Sequence, residues 1–154
     1  MKKMSLVFAV VVAAFFVGCG GEPAATGGEA SAPESMVKEE PAAPAKDLGV
    51  GPIKSVTVGE TVDEALAKTG MEVFEAKCTA CHKMGKRFVG PDLTGVTDRR
   101  EPEWIMNMIL NPEVMVVENE AAKALLAEYL SPMANQSLTE DEARSILEYF
   151  RTVK

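Results

Sequence analysis

Cys78-Thr79-Ala80-Cys81-His82 sets two thiols at i and i+3 and an imidazole immediately after them. Positions i and i+3 share one face of a helical turn. Thiols so placed can reach both vinyl groups of a single porphyrin and close two thioether bonds. The adjacent imidazole can then swing beneath the ring and bind its iron. C-x-x-C-H is the attachment signature for c-type haem. One covalent haem c, on Cys78, Cys81 and His82, is therefore the expected cofactor. A zinc ion would need those same three side chains. Adjacent Cys81 and His82 make that geometry poor, and no fourth ligand is evident. His82 is the single histidine of the chain, which excludes bis-histidine ligation within it. The second axial ligand is then a methionine, a weaker donor, or nothing. Nine methionines are available.

Helices must hold these groups. Thr61 followed by Glu64 reads as a capping box. Val62, Ala65, Leu66, Gly70, Val73 and Phe74 then recur at helical spacing up to Cys78. Gly70 inside that helix costs about 1 kcal/mol relative to Ala, so close approach of another helix is expected there. Glu101-Pro102 opens a helix over 102–110, with Trp104, Ile105, Met108 and Ile109 on its inner face. Asn111-Pro112 ends it. Met115 follows in a stretch that reads as loop. A further helix over 121–130 has Ala122, Leu125, Leu126 and Tyr129 as its stripe. Thr139 with Glu142 gives a second capping box, opening a C-terminal helix with Ala143, Ile146, Leu147, Tyr149 and Phe150 inward.

Four linked features resemble class I monohaem cytochromes c over about residues 61–154. They are the Gly70/Phe74 helix before the haem motif, C-T-A-C-H itself, the run Gly90-Pro91-Asp92-Leu93-Thr94-Gly95, and a late methionine ahead of an aromatic-bearing C-terminal helix. The resemblance implies an all-α fold whose N- and C-terminal helices cross around one covalent haem, with Gly70 and Phe74 against Ile146, Tyr149 and Phe150. It implies that the Pro91 carbonyl accepts from the second ring nitrogen of His82 and so orients the ligand. Leu93 would pack on the haem face. Trp104 would either donate its indole N–H to a haem propionate or be a core residue beside the ring; both remain open.

Met133 is the expected sixth ligand, because it lies in the loop where class I cytochromes place the distal methionine. Met84 is too near the attachment turn to reach the other face. Met106 and Met108 are packing residues of a helix. Met115 is the competitor, and five-coordinate iron the remaining alternative. Pro132 precedes Met133 and no proline follows it; Asn135 either holds the loop by side-chain hydrogen bonds or is a plain turn residue. The stretch 102–112 looks more specifically like small lipoprotein cytochromes that accompany bacterial respiratory enzymes, nitrous oxide reductase among them.

The N-terminus reads as an address. Lys2 and Lys3 precede an apolar stretch over 5–17, thirteen residues long, short of the roughly 20 needed to span a bilayer. It reads as a signal-peptide core. Phe16-Val17-Gly18-Cys19 resembles a bacterial lipobox, which implies cleavage before Cys19 and lipidation at Cys19. An uncleaved anchor and ordinary secretion are the alternatives. All three place the domain outside the cytoplasmic membrane, on the periplasmic side. The expected organisation is a signal peptide over 1–18, a lipidated and disordered tether over 19–47, an extended arm over 48–60 and the haem domain over 61–154. Residues 20–47 are Gly, Ala, Pro, Glu and Ser/Thr, too poor in large apolar groups to offset ordering. Such a tether spans roughly 30 Å on average. In the arm, Val56 and Val58 alternate around Thr57 near Ile53, as in a short strand or an extended segment lying on the domain surface.

The chain carries −7, and loss of Lys2 and Lys3 with residues 1–18 leaves about −9. So acidic a protein is not expected to bind nucleic acid; it should prefer basic docking patches, with salt-sensitive on-rates. Lys86-Arg87 and Arg99-Arg100 are local exceptions, set to meet haem propionates, rim a docking face, or stand in solvent. Met/His ligation would raise the reduction potential and leave no vacant iron site. The expected function is a tethered, non-enzymatic electron carrier between respiratory redox proteins, with nitrous oxide reductase or a terminal oxidase as candidate partners. An enzyme or gas sensor with an open iron is the alternative, and a lipoprotein carrying haem only for stability is a third.

Overall fold

A computed structural model describes residues 46–154. The expected signal peptide, Cys19 and almost all of the expected tether lie outside the described residues. Among those described there are six helices and no strand: α1 Glu64–Lys77, α2 Val96–Arg99, α3 Pro102–Leu110, α4 Pro112–Glu118, α5 Glu120–Tyr129 and α6 Glu140–Thr152. None is long and apolar enough to cross a membrane. The architecture is all-α, as expected.

The core is the crossing of α1 and α6. Gly70 lies directly on the α6 backbone, where a Cβ would overlap the Ser145 carbonyl and come within 2.8 Å of the Ile146 nitrogen. That proximity lets the Phe74 ring meet Tyr149 at 5.5 Å and Phe150 edge-on at 5.7 Å. Ile146 and Leu147 are completely buried beneath them. The Thr139–Glu142 capping box forms and starts α6. The Thr61–Glu64 box does not. Asp63 caps α1 instead, its carboxylate accepting from Leu66 N at 3.0 Å, and Glu64 is already helical.

Asn111-Pro112 ends α3 but also starts α4. Proline lacks only a donor that the first turn would leave unpaired, so the stretch around Met115 is helix rather than loop. Asn119 then caps α5, accepting from Ala122 N at 3.0 Å. The single turn α2, which the sequence did not announce, follows Gly95 in a left-handed conformation, φ 62°.

The arm has no regular structure, bends over 50–52 and at 54 and 60, and pairs with no strand among the described residues. Side chains satisfy its backbone. Asn107, with no exposed surface, accepts from Ile53 N at 2.9 Å and donates to the Leu48 and Ile53 carbonyls at 2.9 Å each. Asn111 donates to Val50 O, the Met115 thioether accepts from Val50 N at 3.0 Å, and Glu103 accepts from Val56 N. Ile53 is buried, so the arm contributes to the core instead of lying on its surface.

Glu148 of α6 is 1% exposed and takes Arg144 at 2.5 Å, Arg151, and the Asp63 N–H at 2.8 Å. Arg151 also donates to the Gly59 and Thr61 carbonyls, which ties the end of the arm to α6. Burial opposes ionisation of Glu148. The Asp63 N–H and the two guanidinium groups outweigh it and hold the carboxyl below its usual range. A folded pKa below the unfolded one gives stability that is full above the unfolded value and is lost as pH falls through the folded one. Glu148→Gln leaves two guanidinium groups without their charge partner. It should cost about 3 kcal/mol in denaturant unfolding at neutral pH, and the difference from the parent should shrink in acid.

Candidate haem site

Helix α1 runs straight into the attachment residues. Cys81 N and His82 N both donate to Cys78 O, at 3.1 and 2.9 Å, so the chain makes one more turn and keeps both cysteines beside the imidazole. Burial, and then the neighbouring Cys81, push the Cys78 thiol up to about 11. A metal-binding cysteine needs the opposite shift, because the thiolate is the ligand. Among the described residues no cluster of three His, Cys, Asp or Glu side chains is placed to hold a metal. Two cysteines bordering one cavity beside an imidazole suit thioether attachment of a porphyrin.

His82 is oriented as expected. Its Nδ1 lies 3.2 Å from Pro91 O. With Nδ1–H donating to that carbonyl, Nε2 carries the free lone pair. Burial lowers the imidazole pKa while the Pro91 contact works the other way. Gly90 makes the approach possible: a Cβ there would sit 2.6 Å from His82 Cε1. The loop holding Pro91 is pinned by Asp92, which accepts from Gly85 N and Thr94 N at 2.9 Å each.

Two adjoining cavities frame the site. The inner one, about 300 Å³, has apolar walls that include Leu93, Val96, Met108 and Leu125, and it reaches Trp104 and Met133. The smaller one, about 120 Å³, is lined by Cys78, Cys81, His82 and Met133, and is called the mouth because the attachment residues border it. Gly90, Ser131 and Met133 belong to both. Packed interiors leave few voids larger than a water molecule, so an apolar space of this size is built for a ligand. The donor set and the apolar walls fit haem c.

Met133 sits in the segment 130–139, which has no regular structure. Asn135 holds that segment, accepting from Ser137 N at 2.8 Å and donating to Leu110 O at 3.4 Å. Met115 lines neither cavity. It is fully buried with its sulfur on Val50 N–H. Trp104 reaches the inner cavity with its ring, but its indole N–H donates to Asn119 Oδ1 at 3.1 Å. The propionate-donor role left open for Trp104 is therefore corrected to that of a core residue bordering the cavity, because α5's capping residue occupies its one donor. Arg100 lies over the Trp104 ring at 4.7 Å. Arg99 donates to the Thr94 and Asp92 carbonyls and braces the Pro91 loop. Arg87 stacks on Tyr129 at 4.1 Å and pairs with Glu128.

The family model for cytochrome c matches residues 67–154, from within α1 to the end of the chain. The chain belongs to the class I cytochromes c. This cytochrome c carries its haem covalently on the C-x-x-C-H motif, and haem-based electron transfer is the family's chemistry. A cytochrome c from Rhodothermus marinus is 47% identical to it, with a TM-score of 0.65 over 66% of this chain and 88% of that one. An engineered Rhodothermus marinus cytochrome c bound to a carbene intermediate is also 47% identical, with a TM-score of 0.62 over 66% and 88%. The cytochrome c domain of a Pseudomonas putida protein is 29% identical, with a TM-score of 0.50 over 54% and 85%. No match was found among curated proteins.

Sequence reasoning missed three parts of this cytochrome c. The role of Gly90 against the imidazole was hidden because a glycine beside Pro91 reads as turn. Val116 lines the inner cavity from a helix taken for loop. Asn119 serves α5 and Trp104 at once; a polar residue just ahead of an apolar run was the available sign of the cap.

Proposed function

We propose that this cytochrome c is a lipid-tethered carrier, passing one electron at a time between respiratory redox proteins outside the cytoplasm. The observation that carries the reading is the shared mouth: the His82 imidazole and the Met133 thioether line one cavity with both cysteines. His82 and Met133 are the residues that would hold the haem iron. Haem iron held by imidazole and thioether exchanges a single electron at a raised potential. Around it, Cys78 and Cys81 fix the cofactor, Pro91 and Gly90 set the imidazole, and the apolar walls exclude water.

The rim of the mouth differs from the chain as a whole. Residues 76–91 contain Lys77, Lys83, Lys86 and Arg87 and no acid, with Arg87 paired to Glu128. Phe88 and Val89 stand half-exposed among them, and Lys83 lies over the Phe88 ring at 5.4 Å. Docking there suits a partner with an acidic rim, whereas the net charge alone suggested a basic one. A respiratory reductase such as nitrous oxide reductase, or a terminal oxidase, is the proposed class of partner.

Redox titration of the purified holoprotein should give one reversible one-electron couple and a low-spin spectrum. Rapid carbon monoxide binding by the native ferrous protein would instead indicate an open iron, and with it an enzyme or sensor. The lipobox-like run Phe16-Val17-Gly18-Cys19 supports the tether reading. Cys19→Ser should move the protein from the membrane fraction to the soluble periplasmic fraction with its haem spectrum unchanged; a variant that stays membrane-bound would remove the lipid anchor.

A further inference from the structure

The arm reaches the haem cavity through the residue that caps α5. Asp47 Oδ1 accepts from Asn119 Nδ2 at 2.7 Å and from Gly49 N at 3.0 Å. Asn119 Oδ1 in turn accepts from Trp104 Nε1 at 3.1 Å and from Ala122 N at 3.0 Å. A carboxylate only accepts and the two N–H groups only donate, so the Asn119 amide has one orientation open to it. Asn119 is 8% exposed and Trp104 4% exposed, so little water reaches these two groups.

The same stretch of arm meets Trp104 a second way. Gly49 has φ 73°, and a Cβ there would lie 3.3 Å from Trp104 Cα and 3.0 Å from the Met115 sulfur. Lys46 pairs with Glu101, the residue before α3, at 3.1 Å. The Trp104 side chain itself borders the inner cavity. An unbroken path therefore leads from an exposed carboxylate of the arm, through Asn119 and the indole, to the space that fits the haem. Residues 46–49 lie outside the family match over 67–154, so the attachment motif does not account for them.

We propose that Asp47 is a positioning residue for the haem: through Asn119 it holds the Trp104 indole in the cavity wall and keeps water out there. The apolar shell around such a site controls solvent access and local dielectric, and with them the reduction potential. A loosened indole would admit water. Water favours ferric haem, the more highly charged form, so the potential would fall. Loss of the Asp47 charge alone would act the other way, because a carboxylate also favours the ferric form. The two causes differ in sign and can be told apart. The proposal needs the haem in its cavity and is independent of the lipid tether.

Trp104 is the only tryptophan, so the protein has a single indole N–H to follow by NMR. In the ferrous holoprotein, Asp47→Ala should speed hydrogen exchange at that N–H on the order of tenfold, as loss of one supporting hydrogen bond would. Titrated against a dye of known potential, it should shift the electron-exchange equilibrium toward the ferric form by roughly threefold. Asp47→Asn keeps an oxygen to accept from Asn119 and Gly49, and should match the parent in both measurements. Trp104→Phe keeps a ring without the N–H; adding Asp47→Ala to it should shift the equilibrium no further. An Asp47→Ala protein with the parent's exchange rate or the parent's potential overturns the proposal, even if it melts lower, since a purely structural tie moves only the melting. Equal shifts in the Ala and Asn variants, in either direction, overturn it too, because the carboxylate would then act by its charge.

Discussion

Met133→Ala should abolish the sulfur-to-iron charge-transfer band, convert the ferric haem toward high spin, and open the ferrous iron to carbon monoxide. Its reduction potential should fall by on the order of 100 mV or more, inside the roughly 0.8 V over which axial ligation sets haem potentials. The expectation follows from position. Met133 is the one methionine on the wall common to the inner cavity and the mouth. Met108 shares only the inner cavity, from within α3. Met115 cannot substitute without loss, since its sulfur already accepts the Val50 N–H and its side chain is sealed under the arm. A variant that kept the band would show that some other thioether holds the iron. Stability of the apo chain should change little, because Met133 is only half-buried.

Gly70→Ala should do the opposite of what helix propensity says. Propensity alone favours alanine by about 1 kcal/mol. The α6 backbone fills the space a methyl group would need, and the obstacle is the Ser145 carbonyl rather than a side chain able to swing aside. α1 and α6 must separate, and Phe74 then loses its contacts with Tyr149 and Phe150. Forced overpacking of this kind costs about 3 kcal/mol. Denaturant unfolding of the holoprotein should show that loss, with a lower yield of haem-loaded protein. A stability equal to the parent's would mean the helices can part freely.

The sequence was most readable where one residue type answers one local need. The C-x-x-C-H turn, the Gly70 and Phe74 crossing and the Thr139 capping box each depend on neighbours a few residues apart or on a helix face, and each stands where expected. It was least readable where a side chain serves a distant backbone. Asn107 and Asn119 look like ordinary polar residues of a helix and a turn, yet one holds the arm and the other holds Trp104. Pro112 was misleading for another reason: the same residue that stops one helix can begin the next. Thr61 lost the cap to Asp63 because both lie at the start of the same run, and local pattern does not decide between them. For Arg99 and Arg100, adjacency in sequence concealed different surroundings, the one on loop carbonyls and the other on an indole ring.

The hydrogen bonds that Asn107, Asn111 and Met115 make with residues 48–53 set where a protease can cut without harm. A nick upstream of Lys46 spares every one of them and would leave the haem domain with its core intact. A nick after Ile53 removes a buried isoleucine, strands the amide of Asn107 in the interior, and would release a domain with a damaged core. A harmless cut and a ruinous one are thus separated by fewer than ten residues of chain.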